Sequence, residues 1–150
     1  MTFLPRSIDN NYRGYKIALW LFALLLFMKI TMSLNCIFNG YSIATSADGI
    51  PLDTFTHACA QMIVSDFALW GLGQLMICVI GVIVLIRYRS AVALMFAVLL
   101  FEQLGRKLIL HFLPIMRTGT PPGFYVNLIL FALMFVGLAL SLLTRRDRQF

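Results

Sequence analysis

Four apolar runs, at 17–38, 57–86, 90–113 and 123–144, fill most of this 150-residue chain. Each has the length to cross a bilayer as a helix, because about 20 residues at 1.5 Å per residue span a hydrocarbon core roughly 30 Å thick. Three of the runs nevertheless carry charge: Lys29 in the first, Asp66 in the second, and Glu102, Arg106 and Lys107 in the third. An ionisable group at mid-helix is unfavourable by roughly 2.5–3.5 kcal/mol on insertion scales, so such groups usually face a protein or water-filled interior. The pattern predicts an all-α membrane protein, a bundle of four transmembrane helices with polar groups inside.

Composition points the same way. Hydrophobic residues make up 61% of the chain and the mean hydropathy is +0.89, against roughly 45–50% apolar residues in soluble domains. Four spans leave too little chain for a separate soluble domain, so 1–150 reads as one integral membrane domain without an internal repeat. The net charge is +6. Lys and Arg gather at the ends of the runs as topology signals and form no nucleic-acid-binding patch, so nucleic acid is not an expected partner. Cys36, Cys59 and Cys78 are isolated, without the spacing of a thioredoxin-type pair or a zinc site. Cys36 and Cys59 both fall near the outer face, where a disulfide is one reading and two small packing residues the other. The sequence names no cofactor.

Arg6, Arg13 and Lys16 precede the first run, Arg87 and Arg89 sit between the second and third, and Arg145, Arg146 and Arg148 follow the fourth. The 39–56 loop has no Lys or Arg, and the 114–122 loop has only Arg117. The positive-inside rule then puts both termini and the 87–89 link in the cytoplasm. The basic start of the first run also suits a signal peptide. The nearest small-residue cleavage candidate, 44–47, lies well past the apolar stretch, so a retained span is expected. Asp48-Gly49-Ile50-Pro51 reads as a turn. Asp53 is placed to cap the second helix, and Thr120, before Pro121-Pro122, to cap the fourth. At roughly 43 Å the second helix must tilt or project from the bilayer.

Depth, counted from the cytoplasmic ends at 1.5 Å per residue, puts Lys29, Gln74 and Glu102 roughly 18 Å in, with Gln103 just beyond. Asn35, Asp66, Arg106, Lys107 and Asn127 follow about 24–30 Å in. The inner half of the membrane is almost free of polar groups. Helical spacing aligns Glu102 with Arg106, and Gln103 with Lys107 and His111. Lys29 shares a face with Ser33 and Cys36. A broad face of the second helix holds Cys59, Asp66, Trp70, Gly73, Gln74 and Gly81. On the fourth, Asn127, Met134 and Ser141 align beside Gly137, and Gly137 and Ser141 have small-xxx-small spacing. Lys29–Glu102 is the expected deep pair, and Asp66 with Arg106 or Lys107 the expected shallow set. The charges of Lys29, Asp66, Glu102 and Arg106 then cancel, as an internal network requires.

The candidate ligand-binding or polar-network residues are therefore Lys29, Asn35, Asp66, Gln74, Glu102, Gln103, Arg106 and Asn127, around a pocket open to the periplasmic side. The same residues would serve equally to lock helix register. Lys107 alone suits a snorkelling role. His57, His111 and Asp53 lack metal-ligand spacing, so no metal is expected. The eight Met residues suit packing.

Arg87-Tyr88-Arg89-Ser90, then Phe101-Glu102-Gln103-Leu104-Gly105-Arg106, then Pro114 and Gly119-Thr120-Pro121-Pro122-Gly123 resemble small uncharacterised four-span proteins of bacterial inner membranes. The architecture is also broadly similar to the DoxX-like four-helix membrane proteins. The resemblance implies a multi-pass protein of the bacterial inner membrane and transfers no activity and no functional residue.

Three function classes follow. The first is a non-catalytic binder of lipid or a small ligand, or an accessory subunit of a larger membrane complex or homo-oligomer; small size, minimal loops and the absence of a catalytic motif support it. The second is a component of a proton- or ion-coupled transporter, favoured by Lys29 and Glu102 near mid-membrane and opposed by the lack of an inverted repeat. The third is a quinone-linked membrane enzyme, for which the chain lacks a paired-cysteine centre and a His pair within the spans. The topology is open to a direct check: a reporter fused to the C-terminus should work as a cytoplasmic reporter and fail as a periplasmic one. The reverse would overturn the orientation and every depth above.

Overall fold

The computed structural model describes residues 9–12 and 14–143. Arg6, Arg13, Arg145, Arg146 and Arg148 lie outside them, as does Thr144. The described chain is all-helical, with four long helices: α1 (Lys16–Phe38), α2 (His57–Arg87), α3 (Val92–Phe112) and α4 (Pro122–Leu142). Three of these, α1, α2 and α4, are long and apolar enough to cross a membrane. The protein is thus a helical membrane protein. Helix α3 matches α4 in length, at 21 residues, but carries Glu102, Arg106 and Lys107.

The elements begin and end for local reasons. The Thr56 hydroxyl accepts from the Cys59 N–H and caps α2. Asp53, expected in that role, instead lies in the single turn Leu52–Thr54, where its carboxylate accepts from the Tyr41 hydroxyl. No side chain caps α4. It starts at Pro122, whose missing N–H is one the first turn leaves unbonded in any case, and Thr120 stands outside it. A tight turn through Arg89–Ala91 joins α2 to α3.

Helix α1 is the centre of the packing. It lies along α2 on one side and against α4 on another, and α4 in turn packs on α3; α2 and α3 meet sparingly. Close approach explains the tight seams. A Cβ on Gly71 would stand 2.8 Å from the Ser33 carbonyl oxygen and 2.9 Å from Cys36 Cβ, so α1 and α2 touch backbone to backbone there. A Cβ on Gly137 would run into the ring of Phe96, which is fully buried on α3. The buried face of α2 runs through Gly71, Gln74, Cys78, Gly81 and Val84. Gly73, Asp66 and Cys59, expected on that face, are exposed, and a Cβ on Gly73 would meet nothing within 4 Å.

One end of the molecule gathers the N-terminal segment, the α2–α3 turn and the end of α4. The Ser90 hydroxyl donates to the Asp9 carbonyl at 2.8 Å, the Tyr12 hydroxyl to Ser141 Oγ at 3.1 Å, and the Tyr15 N–H to the Leu140 carbonyl at 3.3 Å. At the other end the two longer loops meet: the Gly49 carbonyl accepts from both the N–H and the hydroxyl of Thr118, at 2.9 and 3.1 Å. Gly49 adopts φ +68°, where glycine is at ease. Outward faces carry large apolar side chains, among them Trp20, Phe27, Phe101 and Phe112, as lipid contact demands.

The contrast between two neighbouring glycines tests this packing. Gly71→Ala should lower unfolding stability in mild detergent by about 1–3 kcal/mol, the usual effect of overpacking. Gly73→Ala should be neutral or raise it by about 0.5–1 kcal/mol through helix propensity. Equal effects would show that α1 and α2 do not meet at Gly71.

Candidate functional site

A chain of polar contacts crosses the interior and uses all four helices. Lys29 on α1 is 3% exposed. Its Nζ donates to Gln74 Oε1 on α2 at 3.1 Å and to Glu102 Oε2 on α3 at 3.2 Å. The other carboxylate oxygen of Glu102 pairs with Arg106 Nη2 at 3.2 Å, one helical turn on. Arg106 Nη2 also donates to Gln103 Oε1. The Gln103 amide donates to Asn127 Oδ1 on α4 at 3.1 Å, and the Asn127 amide donates to its own helix at the Gly123 carbonyl, 2.9 Å. Among the described residues no buried side-chain nitrogen or oxygen lacks a partner. A half-satisfied network of this kind would be worse than an apolar core.

The helices place these groups by simple periodicity. Lys29, Ser33 and Cys36 fall on one stripe of α1, and all three are buried. The Ser33 hydroxyl turns back to the Lys29 carbonyl at 2.8 Å. Glu102 and Arg106 sit at i and i+4 on α3, with Gln103 beside them. The guanidinium of Arg106 lies 4.5 Å above the Trp70 ring on α2, a cation–π contact that bridges the sparse α2–α3 seam. By sequence, Trp70 falls on the broad face of the second helix but not among the candidate site residues. Its position four residues along from Asp66, one turn deeper in α2, is the signal that could have marked it.

Beside this network lies a small cavity of about 20 Å³, lined by residues of all four helices, including Lys29, Ser33, Gln74, Arg106 and Asn127. That is room for one water-sized group.

Two expected members are elsewhere. Asp66 is exposed and forms no ion pair among the described residues. It stands 21 residues from Arg87, or about 31 Å, which takes it to the edge of a 30 Å hydrocarbon core where no internal partner is needed. Asn35 stays on its own helix, donating to the Thr31 carbonyl and accepting from Asn39. The shallow set expected around Asp66 is therefore not formed: Arg106 pairs with Glu102, and Lys107 sits 4.5 Å from the Phe131 ring. Cys36 and Cys59 are free thiols, one buried and the other exposed.

Asp48, in the loop between α1 and α2, lies within electrostatic reach of Arg106. Burial pushes its carboxyl up from the ordinary range, while Arg117 and then Arg106 pull it back. Among the described residues no group of three or more His, Cys, Asp or Glu side chains gathers as metal ligands would. Compared with known proteins, the chain matches no family model, no curated protein and no solved structure.

The shared carboxylate makes an asymmetric prediction. Glu102→Gln leaves two cations without a counter-charge, whereas Lys29→Met leaves Glu102 still paired to Arg106. Breaking a buried pair by removing one member is destabilising by about 3–5 kcal/mol, and Glu102→Gln should lower the detergent melting temperature more than Lys29→Met. The double variant should lose less than the sum of the two. Strict additivity would show that the pair contributes no coupling energy.

Proposed function

We propose that this is a four-span protein of the bacterial inner membrane, with both termini cytoplasmic, that binds a lipid or small ligand in an outward-facing intramembrane pocket and catalyses no reaction of its own. The single observation that carries the reading is the cavity beside the Lys29–Glu102–Arg106 network. Four helices contribute to its wall, and a purely structural ion network has no need of a cavity at its side. Helix α3 crosses the membrane in this reading because Glu102 and Arg106 are paired with partners inside the bundle, and the exposed Lys107 lies over the Phe131 ring, free to snorkel. The basic link at Arg87 and Arg89, at the same end as the N-terminal segment and the end of α4, supports reading that end as cytoplasmic.

A transporter component is the second reading, resting on the same mid-membrane charges. The apolar cluster inward of the network weighs against it: Phe22, Leu25, Leu26, Cys78, Phe96 and Leu99 pack there without a polar break. The binder reading is tested by native mass spectrometry of the protein purified in mild detergent. Wild-type protein should retain a bound molecule of discrete mass. Ser33→Val, which replaces the hydroxyl with one methyl group, adds a second at the cavity wall and keeps every charge, should lose it. Absence of any such molecule from the wild type, or its equal retention by the variant, would leave the network with a structural role alone.

A further inference from the structure

The network is not electrically balanced. Lys29 and Arg106 bring two positive charges to it and Glu102 brings one negative charge. With Asp66 at the outer edge of α2, the fourth charge that would cancel the excess is missing. Asp48 does not fill that place, since it forms no ion pair with Lys29 or Arg106 among the described residues. An uncompensated positive charge in a low-dielectric interior is unfavourable.

The cations also hold hydrogen-bonding capacity in reserve. A Lys ammonium has three N–H donors and an Arg guanidinium five. Among the described residues Lys29 uses two, toward Gln74 and Glu102. Arg106 donates through Nη2 to Gln103 and uses the same nitrogen in its ion pair with Glu102, and among the described residues Nε and Nη1 make no hydrogen bond. Both side chains line the cavity. Neutral side chains around it, Ser33 and Gln74, add polar atoms without adding negative charge.

We propose that the cavity takes one anionic oxygen of an acidic ligand, a phosphate or a carboxylate, with Arg106 and Lys29 as its donors. This rests on the binder reading and names the chemistry of the ligand. A cavity of about 20 Å³ admits one such oxygen and no more of the group. The remainder of the ligand must lie outside it, and the seam between α2 and α3 is where the wall is thinnest. Those two helices meet sparingly, and Arg106 over Trp70 is the contact that spans them at this level. The side chains of Arg106 and Glu102 are 23% and 20% exposed, against 4% for Lys29, so the network opens on the α3 side. At this seam the planar fork of Arg106 can hold a second oxygen of the headgroup outside the cavity while still lining it.

The full-length protein is tested in nanodiscs of neutral phosphatidylcholine, of the same lipid with phosphatidylglycerol, and of neutral lipid with inorganic phosphate added against chloride at equal ionic strength. The readout is the unfolding midpoint. A rise of about 5–10 °C with phosphatidylglycerol, the scale expected of a site filled at 100-fold excess over its dissociation constant, identifies a lipid headgroup. The same rise with inorganic phosphate identifies a soluble anion. In either case the rise should vanish in Arg106→Gln and Ser33→Val and persist in Arg87→Gln, whose charge lies at the far end of α2. Should Arg106→Gln fail to fold, Ser33→Val carries the test with every charge in place. No rise with either anion, or a rise that survives the cavity variant, overturns the proposal. The two readings fail separately: a neutral molecule that co-purifies with wild type and is lost from Ser33→Val keeps the binder and removes the anion.

Discussion

One carboxylate holds the interior of this protein together. Glu102 accepts from Lys29 on one oxygen and forms an ion pair with Arg106 through the other, so a single carboxylate ties a cation of a neighbouring helix to one of its own. In hydrocarbon the alternative to such pairing is an isolated charge, which no helix of this length tolerates without partners or water. The consequence spreads beyond α3. Once Lys29 is tied to Glu102 and to Gln74, α1 is fixed in rotation against two helices at once. Gln103 carries the constraint on to α4 through Asn127. Apolar packing between helices in lipid has little hydrophobic driving force of its own, so these few polar contacts select one arrangement from many of similar packing energy.

Close packing then works within that arrangement. Gly71 lets α1 and α2 approach to backbone contact just beside Gln74, and Gly137 admits the Phe96 ring between α3 and α4. Both glycines sit within a few residues of a network member or of the apolar cluster inward of it. Shortening the interhelical distance there brings Gln74 and Glu102 within reach of one ammonium group. Between α2 and α3, where no glycine makes such a contact, a cation–π pair spans the seam.

Much of this could be read from the chain before any coordinates. Helix positions follow from length and apolarity, which are properties of the sequence taken one stretch at a time. The pairing of Lys29 with Glu102 could be read because both were counted from the same membrane face and fell at one depth. Asp66 misled for a related reason. Counting places it about 30 Å in and Arg106 about 24 Å in, and grouping the two as one layer ignored a full helical turn. The buried face of α2 was read too broadly. A helix of 31 residues offers several stripes that each hold a few small or polar residues, and only the partner decides which is used; here Ser33 and Cys36 select Gly71 over Gly73. The caps at Asp53 and Thr120 failed because single-turn structure and a proline start changed the first residue of each helix.

The distribution of polarity along the bundle bears on how any ligand would reach it. From the network toward the basic end, the interior is filled by Phe22, Leu25, Leu26, Phe96 and Leu99, each 2% exposed or less, with the Phe22 and Phe96 rings 5.0 Å apart. Interiors packed to this degree leave no polar path for an ion or proton. On the opposite side Gln103, Asn127 and Arg106 continue the polar surface toward the loops joined at Gly49 and Thr118. A site with one apolar floor and one polar roof can exchange its contents with only one side of the membrane, or sideways with the lipid. That geometry suits capture and release of a bound molecule, and for transport it would need a rearrangement that parts Phe22 from Phe96 while keeping Lys29 and Glu102 paired.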